Sequence, residues 1–111
     1  MTPADPLLSP AAYGVIAEFV VKEGMLEAFL QHAFDDARHS LAEEPGCLVF
    51  DVLRSSDHDR GVLFYEVYQS RQAFDEHLTT PHVERFRAIL SQHVEAERPV
   101  RTLQRLSHPT A

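Results

Sequence analysis

Two short segments constrain this chain most: "CLVFDVLRS" (residues 47–55) and "VLFYEVYQS" (residues 62–70), each apolar at both phases of a two-residue alternation. The polar stretch "SDHDRG" separates them, so the pair reads as a β-hairpin. In the first segment Leu48, Phe50 and Val52 are expected on one face, with Cys47, Val49 and Leu53 on the other. A strand that is apolar on both faces must be covered on both faces. The remaining elements therefore have to supply cover.

Upstream, "YGVIAEFVVK" (residues 13–22) is rich in β-branched and aromatic residues and stops at Glu23-Gly24, which reads as a first strand ending in a turn. In "GMLEAFLQHAFDDARHSLAEE" the residues Leu26, Phe29, Leu30, Ala33, Phe34, Ala37 and Leu41 recur at three- and four-residue steps, the period of an amphipathic helix. Pro45-Gly46 ends it. Downstream of the hairpin, Ser70 is placed to cap a short helix through about Leu78. Thr80-Pro81 is a cap and first-turn signal for another helix to about Val94, with Val83, Phe86, Ile89, Leu90 and Val94 as its apolar set. "RPVRTLQRL" (residues 98–106) reads as a fourth strand, with Pro99 at an edge or a strand start.

The resulting order, β-α-β-β-α-β with the second helical region in two pieces, predicts an α+β, ferredoxin-like domain with a four-stranded antiparallel sheet. It spans residues 13–107, between a proline-containing N-terminal arm (1–12) expected to be flexible and a short tail (108–111). Helices cover one sheet face. A second copy of the chain is expected to cover the other, as a twofold homodimer through the sheet.

Composition narrows the partners. Ten Lys and Arg against 17 Asp and Glu give a formal charge of −7, and no basic stripe is present, so nucleic acid is not expected. No apolar run approaches the roughly 20 residues of a membrane span, and "MTPADPLLSP" lacks the basic start and apolar stretch of a signal peptide. A soluble, cytoplasmic protein is expected. Cys47 is the single cysteine, which rules out an internal disulfide and a thiolate zinc cluster, and it reads as a small apolar strand residue.

Candidate chemistry centres on "YEVYQSRQAFDEHLTTPH" (residues 65–82). On the short helix Ala73, Phe74, His77 and Leu78 share one stripe, which turns His77 toward the sheet. Glu66 lies mid-strand with Phe64 and Tyr68 on its own face, where an unpaired carboxylate costs several kcal/mol of desolvation. Two readings follow: a hydrogen-bonded core histidine, or a Glu66–His77 acid/base pair in a pocket walled by Phe50, Phe64 and Tyr68. His82 falls at the second position of the last helix, where the dipole disfavours imidazolium, so it reads either as a neutral proton donor or acceptor or as a solvated residue. No metal site is expected, because Pro81 interrupts any i, i+4 chelating pair and no third ligand is apparent. The "SDHDR" residues read as a polar turn, and His32, His39, His93 and His108 as surface residues.

The 43 residues "EPGCLVFDVLRSSDHDRGVLFYEVYQSRQAFDEHLTTPHVERF" resemble the central block of the antibiotic biosynthesis monooxygenase superfamily, and the first strand with "VKEG" resembles its opening. "FDVL", "YEVY" and "HLTTPH" resemble its quinol-monooxygenase-like branch and the isomerase of a phosphorylated autoinducer dione. The resemblance implies a dimeric α/β barrel with a pocket between sheet and helices, and oxidation of quinols or polycyclic phenols by O2 without flavin, haem or metal. Haem-degrading relatives carry asparagine, tryptophan and a haem-binding histidine where this chain has Ala17, His77 and Arg87, which argues against haem degradation. Oxygenation of a phenol and isomerisation of a hydroxy-dione both begin with proton removal and need a placed base. The expected roles are His77 as base, oriented by Glu66, with His82 and Tyr68 as further proton donors and Phe50 and Phe64 stacking on the substrate. Arg54 and Arg87 are the cations a phosphorylated substrate would need. A dimer that binds a small ligand without turning it over is the remaining reading.

Overall fold

The computed structural model describes Asp5, Ser9 and residues 11–106. Most of the expected N-terminal arm and the tail from 108 lie outside these residues, whereas Ala12 is buried and its N–H donates to the Ser9 carbonyl. The elements run β1 (Tyr13–Val21), α1 (Leu26–Glu43), β2 (Cys47–Arg54), β3 (Gly61–Tyr68), α2 (Arg71–His77), α3 (Pro81–His93), β4 (Val94–Glu97) and β5 (Arg101–Gln104). The sheet is antiparallel in the order β2-β3-β1-β4, with β5 also pairing β1. It is the α+β, ferredoxin-like architecture predicted from the sequence, with an open sheet.

The fourth strand differs from the expected Arg98–Leu106. It starts at Val94, directly after α3, and is cut into β4 and β5 along one edge of β1. Three residues, 98–100, stand opposite two of β1, 17–18, and Pro99 has no N–H to give the ladder. Arg98 keeps one tie, from its N–H to the Glu18 carbonyl.

The core lies between the sheet and the helices. Val15, Phe19 and Val21 of β1 and Val62 and Phe64 of β3 pack on Phe29 and Ala33 of α1 and Phe86 of α3. The α1 stripe is narrower than its periodicity predicted, since Phe34 and Leu41 are 40% and 48% exposed. Cys47 is a second departure: an irregularity in the β2–β3 register between Cys47 and Val49 sets Cys47 opposite Tyr68, on the helical side with Phe50. On the outer face Ile16 opposes Tyr65, Leu63 opposes Leu53, and Gly14 opposes Leu103. Tyr65, Leu53 and Leu103 there are exposed.

Capping chemistry sets where α2 and α3 begin. Ser70 Oγ accepts the Ala73 N–H, and Thr80 Oγ1 accepts that of Val83. The Thr80 hydroxyl also donates to the His77 carbonyl, which ties the end of α2 to the start of α3. Gly46 lets α2 lie close to the α1–β2 turn, because a Cβ on it would stand 2.6 Å from that of Ala73.

Candidate active site

Three elements converge on His77. It closes α2 and is buried, and its ring meets Tyr68 of β3 at 5.0 Å and Phe50 of β2 at 6.1 Å between centroids. Its Nδ1 lies 2.9 Å and 3.1 Å from the two carboxylate oxygens of Glu44. Its Nε2 lies 3.8 Å from Glu66 Oε1, too far for a hydrogen bond. An ionised carboxylate only accepts, so facing Glu44 the Nδ1 carries the proton and Nε2 keeps a lone pair toward Glu66.

Glu66 is itself held from the other side, where Tyr68 donates its hydroxyl to Oε1 at 2.5 Å. Burial pushes the Glu66 carboxyl up to about 8, partly offset by that hydrogen bond. Burial also lowers the His77 imidazole, against the opposing pull of Glu44. At neutral pH the site therefore holds a neutral carboxylic acid beside a neutral imidazole. Desolvation of Tyr68, reinforced by Glu66, raises its phenol and keeps it a donor.

Both groups open on one cavity of about 60 Å³, walled by Ala17, Phe64, Phe86 and Asp36, with Arg87 and Leu78 also lining it. Asp36 is a buried acid of α1; burial pushes its carboxyl up to about 7, although His82 and the Ser40 hydroxyl pull it down.

The residues singled out from sequence divide accordingly. Glu66, His77, Phe64 and Arg87 line the cavity. Phe50, Tyr68 and His82 stand behind its wall as buried packing and hydrogen-bonding residues. Arg54 is elsewhere: Nε and Nη2 bind the Asp59 carbonyl at the hairpin turn, the opposite end of β2 from the Gly46 turn under α2. His82 is 2% exposed rather than solvated; its Nε2 makes a short contact with Glu44 Oε2, and its Nδ1 lies 3.4 Å from Glu43. His93, expected on the surface, is buried, with its ring Nδ1 at the Ile89 carbonyl. His39 is half-buried and stacks on His82 at 5.9 Å, His32 is half-buried too, and His108 lies outside the described residues.

Glu44 and Asp36 were missed by sequence reasoning. Glu44 makes the close contacts with His77 that were expected of Glu66, and it supplies the third donor whose absence had argued against a metal. A signal existed for each. Glu44 is a second acid at the negative end of a helix, just before Pro45-Gly46, and Asp36 lies on the same helical stripe as Ala33 and Ser40.

Comparison with known proteins bears on the whole arrangement. The profile of the family described as "Antibiotic biosynthesis monooxygenase" matches residues 12–89. Rv0793 of Mycobacterium tuberculosis is 36% identical over 86 residues, 78% of this chain and 81% of that protein. Its solved structure superposes with a TM-score of 0.81 at 27% identity, covering 89% of this chain and 99% of the other. A Nitrosomonas europaea structure bearing the same family description gives a TM-score of 0.82 at 28% identity over 91% and 95% of the two chains. An uncharacterized Synechocystis protein is 37% identical over 43 residues, 39% of this chain but only 29% of its own length. With most of its length matched by the profile and by Rv0793, this chain belongs to the antibiotic biosynthesis monooxygenase family.

Proposed function

We propose that the chain is a cofactor-independent monooxygenase that oxidises a small quinol or polycyclic phenol with O2, the reacting phenol edge entering the cavity and the rest of the ring system lying at its mouth. One observation carries the reading: the His77 imidazole and the Glu66 carboxyl, 3.8 Å apart and both pushed toward their neutral forms by burial, open on the same apolar-walled cavity. His77 Nε2 takes the phenolic proton, and Glu44 at Nδ1 orients the ring and stabilises the imidazolium that forms. Glu66, kept neutral by burial, donates its O–H to a substrate oxygen. The electron-rich phenolate then supplies the electrons that reduce O2: one oxygen atom bonds to a ring carbon, and the other leaves as water with that carbon's hydrogen and the phenolic proton, giving a quinone product, while Phe64 and Phe86 wall the cavity. A phosphorylated hydroxy-dione fits less well: of the two expected cations only Arg87 reaches the cavity, and Glu66 and Asp36 share it. The exposed outer sheet face, with Tyr65, Leu53 and Leu103, pairs with a second copy in this reading, and light scattering at micromolar concentration should give a dimer mass.

Oxygen uptake with a panel of hydroquinones and polycyclic phenols tests the activity. The chain should consume O2 with at least one of them, and His77→Ala should lower kcat by roughly 10²- to 10⁴-fold, the usual contribution of a placed base. Glu66→Leu should lose more than Glu66→Gln, which keeps an N–H donor. No uptake by the intact dimer across the panel would leave ligand binding alone; full activity in His77→Ala would remove the proposed base.

A further inference from the structure

His77 at the cavity wall and Glu44 belong to a donor set completed by His82, a residue that the turnover chemistry does not use. One carboxylate oxygen of Glu44, one ring nitrogen of His77 and one of His82 all lie within 4.8 Å of one another. The side chains are 12%, 5% and 2% exposed. Two imidazoles with one carboxylate suit first-row divalent ions, whereas Mg²⁺ and Ca²⁺ prefer oxygen alone.

Three further features go beyond the cluster itself. Each histidine turns its other ring nitrogen toward another carboxyl group, His77 Nε2 toward Glu66 at 3.8 Å and His82 Nδ1 toward Glu43 at 3.4 Å. Neither is a hydrogen bond as the groups stand, but both acids are on the side where outer-shell partners orient metal-bound histidines. Second, α1 ends in Glu43, with Glu44 as its cap and no basic residue in its own last turn, so the helix supplies no cation to its negative pole. Third, His82 is buried in the first turn of α3, where docking of that helix against the end of α1 fixes its Nε2 against Glu44 Oε2. The donors are hydrogen-bonded to one another as they stand, and an ion would push Glu44 and His82 apart while keeping all three within reach. Ligands about 2.0–2.1 Å from a tetrahedral ion stand roughly 3.3 Å apart, and His77 Nδ1 is 2.9–3.1 Å from the Glu44 oxygens.

We propose that Glu44, His77 and His82 bind one first-row divalent cation of the Zn²⁺ or Co²⁺ type, with the ion replacing the proton that His77 shares with Glu44. A fourth position is left for water. Loading would leave Nε2 of His77 as an N–H facing Glu66, so the metal-free chain is the form that offers the base. The inference uses the same histidine as the proposed function but is read without substrate.

The test is a titration of the full-length, chelator-stripped protein with Co²⁺. One equivalent per chain should produce the visible absorption of a low-symmetry Co²⁺ site, and Zn²⁺ should abolish it. In the NMR spectrum of the wild-type chain, the ring protons of His77 and His82 should shift strongly while those of His58, on the exposed hairpin turn, stay in place. Glu44→Gln and His82→Ala should each weaken binding at least tenfold. Glu66→Leu, which leaves all three donors, should keep the absorption whatever its turnover, so loss of activity and loss of metal are read separately. No Co²⁺ absorption, shifts confined to other histidines, or unchanged affinity in folded Glu44→Gln and His82→Ala chains would overturn the site.

Discussion

The layer between sheet and helices has two ends built on different principles. At one end Phe19, Phe29, Phe64 and Phe86 form a ring cluster with centroids 5.1–6.3 Å apart. At the other, Glu44, His77, His82, Glu66 and Tyr68 are linked by charge-assisted and polar contacts. Strand β3 contributes to both, with Phe64 and Glu66 two residues apart on one face. The aromatic end supplies stability that tolerates no gap. The polar end gives up stability to keep ionisable groups out of water, which shifts their protonation.

That contrast can be broken by three substitutions besides His77→Ala and by one labelling measurement. Phe29→Ala empties the centre of the ring cluster, where the side chain is fully buried; it should cost about 3–5 kcal/mol in denaturant unfolding. A loss under 1 kcal/mol would mean that the aromatic end is not the main source of stability.

Asp36→Asn should act in the opposite direction. The folded pKa of Asp36, about 7, stands above its ordinary 3.8. The unfolded chain therefore sheds this proton first, and the group removes stability progressively as pH rises from about 4 to about 7. The amide avoids that loss, so it should add a few kcal/mol at pH 8 and little at pH 4. Equal effects at both pH values in paired unfolding curves would contradict the burial of this acid.

Gly46→Ala sharpens the link between local packing and the site. Its Cβ would meet that of Ala73 at 2.6 Å, so α2 must move and carry His77 with it. About 1–3 kcal/mol of destabilisation is expected, along with weaker Co²⁺ binding in the same titration. Retained affinity would show that His77 does not depend on this close approach. The smallest expected effect is at Cys47, buried on the helical side, where desolvation pushes the thiol up to about 12. The native protein should stay unalkylated at pH 8 over hours, and the unfolded chain should react promptly.

Much of the fold was legible because its signals are local. Ser70, Thr80 and Pro81 announce helix starts within one turn, and the two strands around "SDHDRG" announce a hairpin. The burial of Glu66 and the inward turn of His77 also followed from period-two and period-3.6 spacing. The split of the last strand was partly hidden, because Pro99 marks an interruption without saying that pairing resumes beyond it. The side on which Cys47 lies depends on a register irregularity that alternation cannot reveal.

By itself, then, the sequence determined the order of elements, their caps and which face of each strand and helix is apolar, since these follow from residues one to four positions apart. Tertiary structure alone decided that Glu44 meets His77, 33 residues away, and His82, 38 residues away, and that Arg54 ends far from them. Such meetings depend on how the end of one helix docks against the start of others. Docking is governed by the summed packing of the whole layer, so the identity of any single polar residue does not announce it.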